Sequence, residues 1–332
     1  MNVLVTGGNG FLGRAIVARL LARGDTVRSF ARGDDPALRA DGVDVRRGDL
    51  ADAVAVAAAV DGTDLVFHVA AKAGVWGRDE DYRRTNVEGT ANVLAACRAR
   101  GVGKLVYTST PSVVFDGRDM QGADESAPYA DHYLAAYPRT KAEAERAVLA
   151  ADGADLSTVA LRPHLIWGPG DNHLVPRILA RARAGALRRV GDGTNVVDSL
   201  YIDNAADAHL LAADRLGPGS PVAGRAYFLG QGEPVPLWGL VDRILAAGGL
   251  PPLARSVAPG VAYAAGWALE AFHRRFRPEV EPRMTRFLAR ELATSHWFDL
   301  TAARRDLGYA PAVGLEEGLR RLAESLRGQP PG

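Results

Sequence analysis

The stretch Thr6-Gly7-Gly8-Asn9-Gly10-Phe11-Leu12-Gly13 follows the apolar run Val3 to Val5 and opens a helical pattern. A strand, a glycine turn and a helix in this order are typical of doubly wound α/β proteins that bind a dinucleotide. Gly7 permits the tight turn, Gly10 lets a pyrophosphate approach the backbone, and Gly13 allows close helix packing. The helix N-terminus offers free N–H groups and a positive dipole end to phosphate. We therefore predict a dinucleotide site at this turn.

Short apolar runs alternate with helical patterns through the first half of the chain. The predicted strands are Val3 to Val5, Thr26 to Phe30, Val43 to Arg46, Leu65 to Val69, Leu105 to Thr108 and Ser157 to Leu161. Helical spacing covers Leu12 to Ala22 and Tyr82 to Arg100, with Gly24 and Gly101 where C-caps belong. This order predicts an α/β protein with a Rossmann-type doubly wound parallel sheet.

The regular alternation ends after the sixth of these strands, where glycine and proline turns become frequent. We expect a smaller, partly discontinuous C-terminal substrate domain in the second half of the chain. The predicted divisions are residues 1–163 for the nucleotide-binding domain with 196–228 returning to it, 164–195 and 229–327 for the substrate domain, and 328–332 for a disordered tail.

Composition narrows the function classes. The chain has 332 residues, 47% apolar content and a formal net charge of +1. The charge argues against a nucleic-acid surface and favours a small-molecule partner. Cys97 is the only cysteine, which excludes an intramolecular disulfide and a Cys-rich zinc site, and we predict no metal site. The N-terminus enters a strand without a secretory pattern, so we expect a cytoplasmic protein.

The pair Tyr137 and Lys141 predicts proton-transfer chemistry. The chain holds only three lysines, so a lysine four residues after a tyrosine is an improbable coincidence. Helical spacing places both side chains on one face, with Pro138 in the first turn of the helix. An ammonium ~5 Å from the phenol would lower the tyrosine pKa by roughly two units. For the group that holds a substrate carbonyl, we favour Thr110, with Ser109 as the alternative.

The end of the second strand bears on the choice of cofactor. Ala31 stands where an acidic residue would bind the ribose hydroxyls of NADH, and Arg32 offers a guanidinium suited to a 2′-phosphate. We therefore predict NADPH over NADH, with Arg28 able to share this role. The predicted cofactor contacts are Gly7, Gly10, Phe11, Leu12, Gly13, Arg32, Asp49, Leu50, Ala70, Ala71, Tyr137, Lys141 and Pro163.

Motifs along nearly the whole chain carry a family resemblance. They are Thr6 to Gly13, Asp49-Leu50, His68 to Ala71, Thr85 to Thr90, Tyr137 to Lys141, Leu161 to Pro163 and Tyr201 to Asn204. Together they resemble the extended short-chain dehydrogenase/reductase family. Leu300 to Tyr309 is similar to its 3β-hydroxysteroid and sterol-4-carboxylate dehydrogenase branch. Residues 70–77, 107–113 and 165–173 resemble the 2-alkyl-3-oxoalkanoate reductases of bacterial long-chain olefin biosynthesis.

The resemblance implies an NADPH-dependent oxidoreductase that reduces the 3-keto group of a long-chain 2-alkyl-3-oxoalkanoate to the 2-alkyl-3-hydroxyalkanoate. Tyr137 would then be the acid, Thr110 the carbonyl-binding hydroxyl, and Lys141 a ligand of the nicotinamide ribose. It also implies a homodimer formed through the helices at residues 82–100 and 137–149, and association with other enzymes of olefin biosynthesis.

Such a substrate needs an apolar lining and a partner for its carboxylate. Candidates for the lining are Trp76, Trp167, Trp267, Phe272 and the stretch Val257 to Leu269. Candidates for the carboxylate are His164, His173 and Arg177. Val257 to Phe272 falls short of the roughly 20 apolar residues needed to span a bilayer, so we predict no transmembrane segment but a globular helix. With the basic His273-Arg274-Arg275 behind it, this helix is a candidate pocket lid, partner surface or membrane contact.

Three alternative functions fit parts of the pattern. A 3β-hydroxysteroid or sterol-4-carboxylate dehydrogenase shares the fold, the catalytic residues and an apolar pocket. A sugar-nucleotide epimerase usually retains NAD and an acid where Ala31 stands. A non-catalytic nucleotide-sensing regulator uses the same fold but has no need of Tyr137 as a proton donor.

Overall fold

The computed structural model describes residues 1–328. The strands are β1 (Asn2–Thr6), β2 (Thr26–Ala31), β3 (Asp44–Arg47), β4 (Leu65–His68), β5 (Lys104–Thr108), β6 (Met120–Ala123), β7 (Ser157–Pro163), β8 (Ile166–Trp167), β9 (Arg189–Val190), β10 (Val196–Val197), β11 (Leu200–Tyr201), β12 (Arg225–Leu229), β13 (Val235–Pro236), β14 (Ser256–Val257) and β15 (His296–Phe298). The helices are α1 (Phe11–Ala22), α2 (Pro36–Ala40), α3 (Ala53–Val60), α4 (Asp79–Tyr82), α5 (Gly89–Arg100), α6 (Ala136–Ala150), α7 (Leu174–Arg183), α8 (Ile202–Arg215), α9 (Leu237–Ala247), α10 (Pro259–Phe276), α11 (Arg286–Ala293) and α12 (Leu315–Arg327).

A seven-stranded parallel sheet forms the centre, in the order β12-β7-β5-β4-β1-β2-β3. Its strands are apolar on both faces because helices cover both. In β1, Val3 and Val5 join the core under α1 and α8, whereas Leu4 joins the core under α3, α5 and α6. The predicted Rossmann-type doubly wound sheet is confirmed. The strand order reverses between β1 and β4, where the carboxyl ends open a crevice.

The local predictions agree with the structure except around α5. The six predicted strands correspond to β1–β5 and β7, and Gly24 and Gly101 follow helix ends with positive φ angles of 83° and 69°. The predicted helix from Tyr82 to Arg100 is confirmed as unbroken, but Arg83–Glu88 within it forms a π-helical turn ahead of α5. Buried Asn86 in this turn donates to the Thr140 hydroxyl of α6 at 3.0 Å.

The chain leaves the central sheet in two places. After β7 it passes through α7, β10 and α8 before β12 pairs in parallel with β7. Earlier, β6 leaves the sheet and pairs with β15 in a four-stranded sheet of order β13-β10-β15-β6. The division into a domain of residues 1–163 and a discontinuous substrate domain stays a prediction.

The C-terminal helices include the apolar segment singled out in the sequence, which forms α10. Within residues 1–328, no helix combines the length and the apolar character needed to cross a membrane. Of the predicted tail, Gly328 caps α12 by donating to the Glu324 carbonyl at 3.2 Å, and residues 329–332 lie outside the described residues.

Candidate active site

A cavity of about 590 Å³ opens at the carboxyl ends of β1, β4 and β5. Every residue predicted to contact the cofactor lines it, as do both candidate hydroxyls and His173. The walls also hold residues that the sequence did not single out: Asn9, Ala73, Thr85, Thr108, Leu165, Ile166 and Asp171. Within residues 1–328, no cluster of three or more His, Cys, Asp or Glu side chains is arranged to hold a metal ion.

The glycine turn forms one wall because each glycine leaves room that a side chain would fill. Gly7 has a φ of 70°, and a Cβ there would lie 3.0 Å from the Ala70 backbone. A Cβ on Gly13 would overlap the Gly7 carbonyl oxygen. Gly10 caps α1 without a side chain, so the first N–H groups of the helix face the cavity. This cradle fits the pyrophosphate of a dinucleotide cofactor.

The far end of the cavity carries the groups expected to meet an adenosine. Arg32 is exposed at the wall. Asp49 accepts from the Ala51 N–H at 3.0 Å and pairs with Arg84 at 3.2 Å. One cation and one carboxylate therefore flank this end.

Arg28 does not share the role of Arg32. Its guanidinium pairs with Asp44 at 2.8 Å and donates to the carbonyls of Ala59 and Asp61, both at 2.7 Å. The prediction for Arg28 is wrong because these partners turn the side chain away from the cavity.

Lys141 lies at the inner end of the cavity with only 2% of its surface exposed. Its ammonium donates to the Thr108 carbonyl at 2.6 Å and lies 4.1 Å from the centre of the Tyr107 ring. Burial lowers the pKa of Lys141 to about 7, and the nearby Glu145 carboxylate opposes that shift. Lys141 lines the same cavity as Tyr137, but its hydrogen bond goes to the backbone.

Tyr137 has a pKa raised to about 12 by burial, against a hydrogen bond with Thr110 that lowers it. The predicted lowering of the Tyr137 pKa is therefore wrong in this structure, because desolvation outweighs the neighbouring groups. At neutral pH the phenol carries its proton. The arrangement suits a proton donor more than a proton acceptor.

The two candidate hydroxyls differ in their partners. The Thr110 hydroxyl donates to the Ser112 hydroxyl at 3.2 Å, and its interaction with Tyr137 lowers the pKa of that phenol. The buried Ser109 hydroxyl has no hydrogen-bond partner within the described residues. Both line the cavity, and the effect of Thr110 on the Tyr137 pKa favours Thr110.

A buried ion pair supports α6 behind the site, and the sequence analysis missed it. The guanidinium of Arg162 on β7 donates to both carboxylate oxygens of Glu145, at 2.6 to 3.2 Å, and the Tyr129 hydroxyl donates to the same carboxylate at 2.7 Å. Glu145 follows Lys141 by one helical turn, which is a signal that the spacing offered. The pair holds α6, which carries Tyr137 and Lys141, against the sheet.

A second missed carboxyl comes from α11. Burial raises the pKa of Glu291 to about 7, against an interaction with Ser112 that lowers it. The Glu291 charge in turn raises the pKa of Tyr137. No local pattern in the sequence indicates this contact, because it joins two distant segments.

All four aromatic residues predicted for the apolar lining lie outside the cavity lining. Trp167 is fully buried and donates to the Ser199 hydroxyl at 3.1 Å, so it belongs to the core. Trp76 donates to the Pro278 carbonyl at 2.8 Å. Trp267 and Phe272 are exposed on the outer face of α10. The apolar lining predicted from these side chains is therefore wrong.

The carboxylate candidates also separate. His164 is buried against His296, with 2.7 Å between Nε2 and Nδ1, so its prediction as a substrate residue is wrong. Arg177 pairs with Glu281 and does not line the cavity. His173 alone of the three faces it, beside Asp171.

Comparisons with known proteins place the chain among oxidoreductases that share this fold. The sequence model of the 3-beta hydroxysteroid dehydrogenase/isomerase family matches residues 4–257. A 2-alkyl-3-oxoalkanoate reductase of Stenotrophomonas maltophilia (strain K279a) is 53% identical over 98% of this chain and 99% of that protein. A 3 beta-hydroxysteroid dehydrogenase/Delta 5-->4-isomerase of Mycobacterium tuberculosis (strain ATCC 25618 / H37Rv) is 38% identical over 96% of this chain and 88% of its own length. The crystal structure of a Thermus thermophilus UDP-glucose 4-epimerase complexed with NAD is 27% identical and covers 99% of this chain and 100% of its own, with a TM-score of 0.74.

Proposed function

Because the chain belongs to the 3-beta hydroxysteroid dehydrogenase/isomerase family, we propose that it reduces the 3-keto group of a long-chain 2-alkyl-3-oxoalkanoate. The chain is an NAD(P)-dependent oxidoreductase of the extended short-chain dehydrogenase/reductase type. The observation that carries the substrate is the 53% identity, over 98% of the chain, with a 2-alkyl-3-oxoalkanoate reductase. The product is the 2-alkyl-3-hydroxyalkanoate.

In the proposed reaction, the nicotinamide supplies hydride to the ketone carbon when it is bound. Tyr137 gives its proton to the developing alkoxide, since its raised pKa keeps the phenol protonated. Thr110 holds the same oxygen through its hydroxyl, and the buried Lys141 ammonium offsets the phenolate charge left behind. A protonated donor at rest supports the direction of reduction.

The single measurement that tests the substrate is NADPH oxidation with a synthetic 2-alkyl-3-oxo acid beside a 3-oxosteroid. We expect turnover of the oxo acid and little of the steroid. Faster turnover of the steroid would make the chain a 3β-hydroxysteroid dehydrogenase, the function of the relative that is 38% identical.

Tyr137→Phe tests whether the fold serves catalysis or only senses a nucleotide. We expect turnover to fall by about 10² to 10⁴ while the cofactor still binds, because only the proton donor is lost. Unchanged turnover would assign the proton to another group. Measuring cofactor affinity by calorimetry separates a chemical defect from a binding defect.

For the cofactor, we propose NADPH over NADH. Support comes from Ala31, which removes the acid that would repel a 2′-phosphate, and from the exposed Arg32 at the wall of the cavity. Arg32→Ala should lower kcat/KM for NADPH by roughly 10- to 100-fold and leave NADH unaffected, because a charge-assisted hydrogen bond is lost. The matched control is Arg39→Ala, an exposed arginine nearby that pairs with Asp34 at 3.0 Å. Equal use of both cofactors by the wild type would contradict the proposal.

We further propose that the chain forms a homodimer through α5 and α6. We also propose that it acts in the cytoplasm, in long-chain olefin biosynthesis, and associates with other enzymes of that route. Light scattering of the full chain tests the dimer. A monomer at all protein concentrations would exclude it.

A further inference from the structure

The outer surface of α10 is the main exposed apolar area of the described chain. Seven large apolar side chains are exposed within residues 1–328, and five of them lie between residues 261 and 280. They are Val261 (59% exposed), Trp267 (61%), Phe272 (47%), Phe276 (64%) and Val280 (48%). Single exposed apolar residues are ordinary, but a cluster of this kind marks a contact surface.

The helix is held firmly on its other side. Gly266 packs so closely that a Cβ there would lie 2.7 Å from the Thr285 backbone. Buried Glu270 accepts from the backbone N–H of Arg286 at 2.6 Å and from its guanidinium at 2.9 Å. The exposed face is therefore presented by a fixed helix and not by a loose segment.

Charge is absent along most of that face and concentrated at one end. From Pro259 to Phe272 the only charged residue is Glu270, which is buried on the inner side. Ala264, Ala265, Ala268 and Ala271 fill the exposed positions between the large apolar side chains. An apolar face four turns long, without a charged side chain, has the character of an interfacial helix.

Arginines follow at the C-terminal end of α10. Arg274, Arg275 and Arg277 are exposed within four residues, and Arg275 and Arg277 have no carboxylate partner within the described residues. Arg274 lies 5.7 Å from the Trp76 ring centre and Arg275 lies 5.3 Å from that of Phe276. Arginines beside aromatic side chains bury their stems while the charged ends face anionic headgroups.

We propose that the outer face of α10, from Val261 to Arg277, docks on an anionic membrane surface. Trp267, Phe272 and Phe276 enter the boundary between headgroups and acyl chains, and the arginines bind the headgroup phosphates. The Trp76 loop, which contacts the end of α10 and continues from the cavity residues Ala71 and Ala73, would then lie near the lipid. The proposal does not depend on the assigned reaction.

The test is sedimentation of the full chain with vesicles of phosphatidylcholine alone or mixed equally with phosphatidylglycerol, at low and high salt, without substrate or cofactor. We expect binding to the mixed vesicles that weakens as salt rises. R274Q/R275Q should weaken it roughly 20-fold, and W267E/F272E by more than about tenfold. Matched controls are V54E, at an apolar residue 80% exposed elsewhere, and R118Q, at an exposed arginine.

Failure of the wild type to bind mixed vesicles at low salt would overturn the proposal. Binding by both double variants that equals wild-type binding would also overturn it. Light scattering of W267E/F272E supplies a second readout. If that variant changes from dimer to monomer while vesicle binding is unaltered, the face joins two copies of the chain and the membrane proposal is wrong. Circular dichroism confirms that each variant is folded.

Discussion

Replacing Lys141, the buried lysine of the candidate site, should stabilise the cofactor-free chain. Lys141 carries its charge freely in the unfolded state, where the pKa is 10.5, but burial lowers the pKa to about 7 in the folded state. The folded protein is therefore penalised for holding a proton at this position. Lys141→Met has a similar length, no charge and no need of a hydrogen-bond partner.

The size of the effect follows from the two pKa values. The difference corresponds to ~5 kcal/mol at neutral pH, since one pKa unit is worth about 1.4 kcal/mol. The variant also loses the hydrogen bond to the Thr108 carbonyl, which costs about 1–3 kcal/mol. We therefore expect a net gain of about 2–4 kcal/mol at pH 7.

The gain should depend on pH in one direction. Between pH 7 and 10.5 the unfolded wild type binds more protons at this lysine than the folded wild type, so wild-type stability rises with pH. The advantage of Lys141→Met then shrinks across this window. Near its upper end only the lost hydrogen bond remains, and the variant becomes the less stable protein.

Urea unfolding at about pH 7, 8.5 and 10 measures the effect, with the free energy extrapolated to water. Lys104→Met is the matched control, since it removes a lysine from the half-buried start of β5. A variant less stable than the wild type at pH 7, or a difference that stays constant with pH, would refute the reasoning.

Three further changes test other parts of the structure. Glu145→Gln should destabilise the chain by about 3–5 kcal/mol in urea unfolding because Arg162 keeps its buried charge, and E145L/R162L should cost less; an equal loss would contradict this. Gly13→Ala forces a methyl group against the Gly7 carbonyl, so the free energy of unfolding should fall by about 1–3 kcal/mol. The cofactor affinity measured by calorimetry should fall as well. An unchanged affinity would contradict a role for the glycine turn in cofactor binding. The Glu291 pKa is raised from 4.5 to about 7, so between these pH values the folded wild type binds more protons than the unfolded chain and loses stability as pH rises. Glu291→Gln should remove this dependence of the unfolding free energy on pH. An unchanged dependence would rule out Glu291 as its source.

The sequence was most informative where the chemistry is local. The residues of the glycine turn are contiguous, and Tyr137 and Lys141 are one helical turn apart. Their relative positions therefore follow from local backbone geometry. The parallel sheet was predicted from the alternation of short apolar runs with helical patterns. These are the parts of the site where short-range sterics and periodicity decide the outcome.

Prediction failed where long-range packing decides. The bond between His164 and His296 joins residues 132 positions apart, and nothing near His164 indicates it. Trp167 is an aromatic residue of the short strand β8, a position compatible with a pocket or with the core. Its full burial, its bond to Ser199 and its packing against Tyr201 assign it to the core. The Tyr137 pKa depends on how many segments surround the phenol, which residue spacing does not reveal.

The long sequence separation between β12 and its partner β7 affects how the chain folds. The strand pairs with β7 only after residues 164–224 have been made, so the central sheet is completed by a contact between distant segments. Pairing of this kind slows folding, because the loop must close before the contact stabilises it. Until β12 pairs, β7 is an open edge strand of the sheet. All of its residues are buried in the final fold, so the open edge could pair with another chain. A fragment ending at Pro163 would keep that edge open permanently and should aggregate, although it contains the glycine turn, Tyr137 and Lys141.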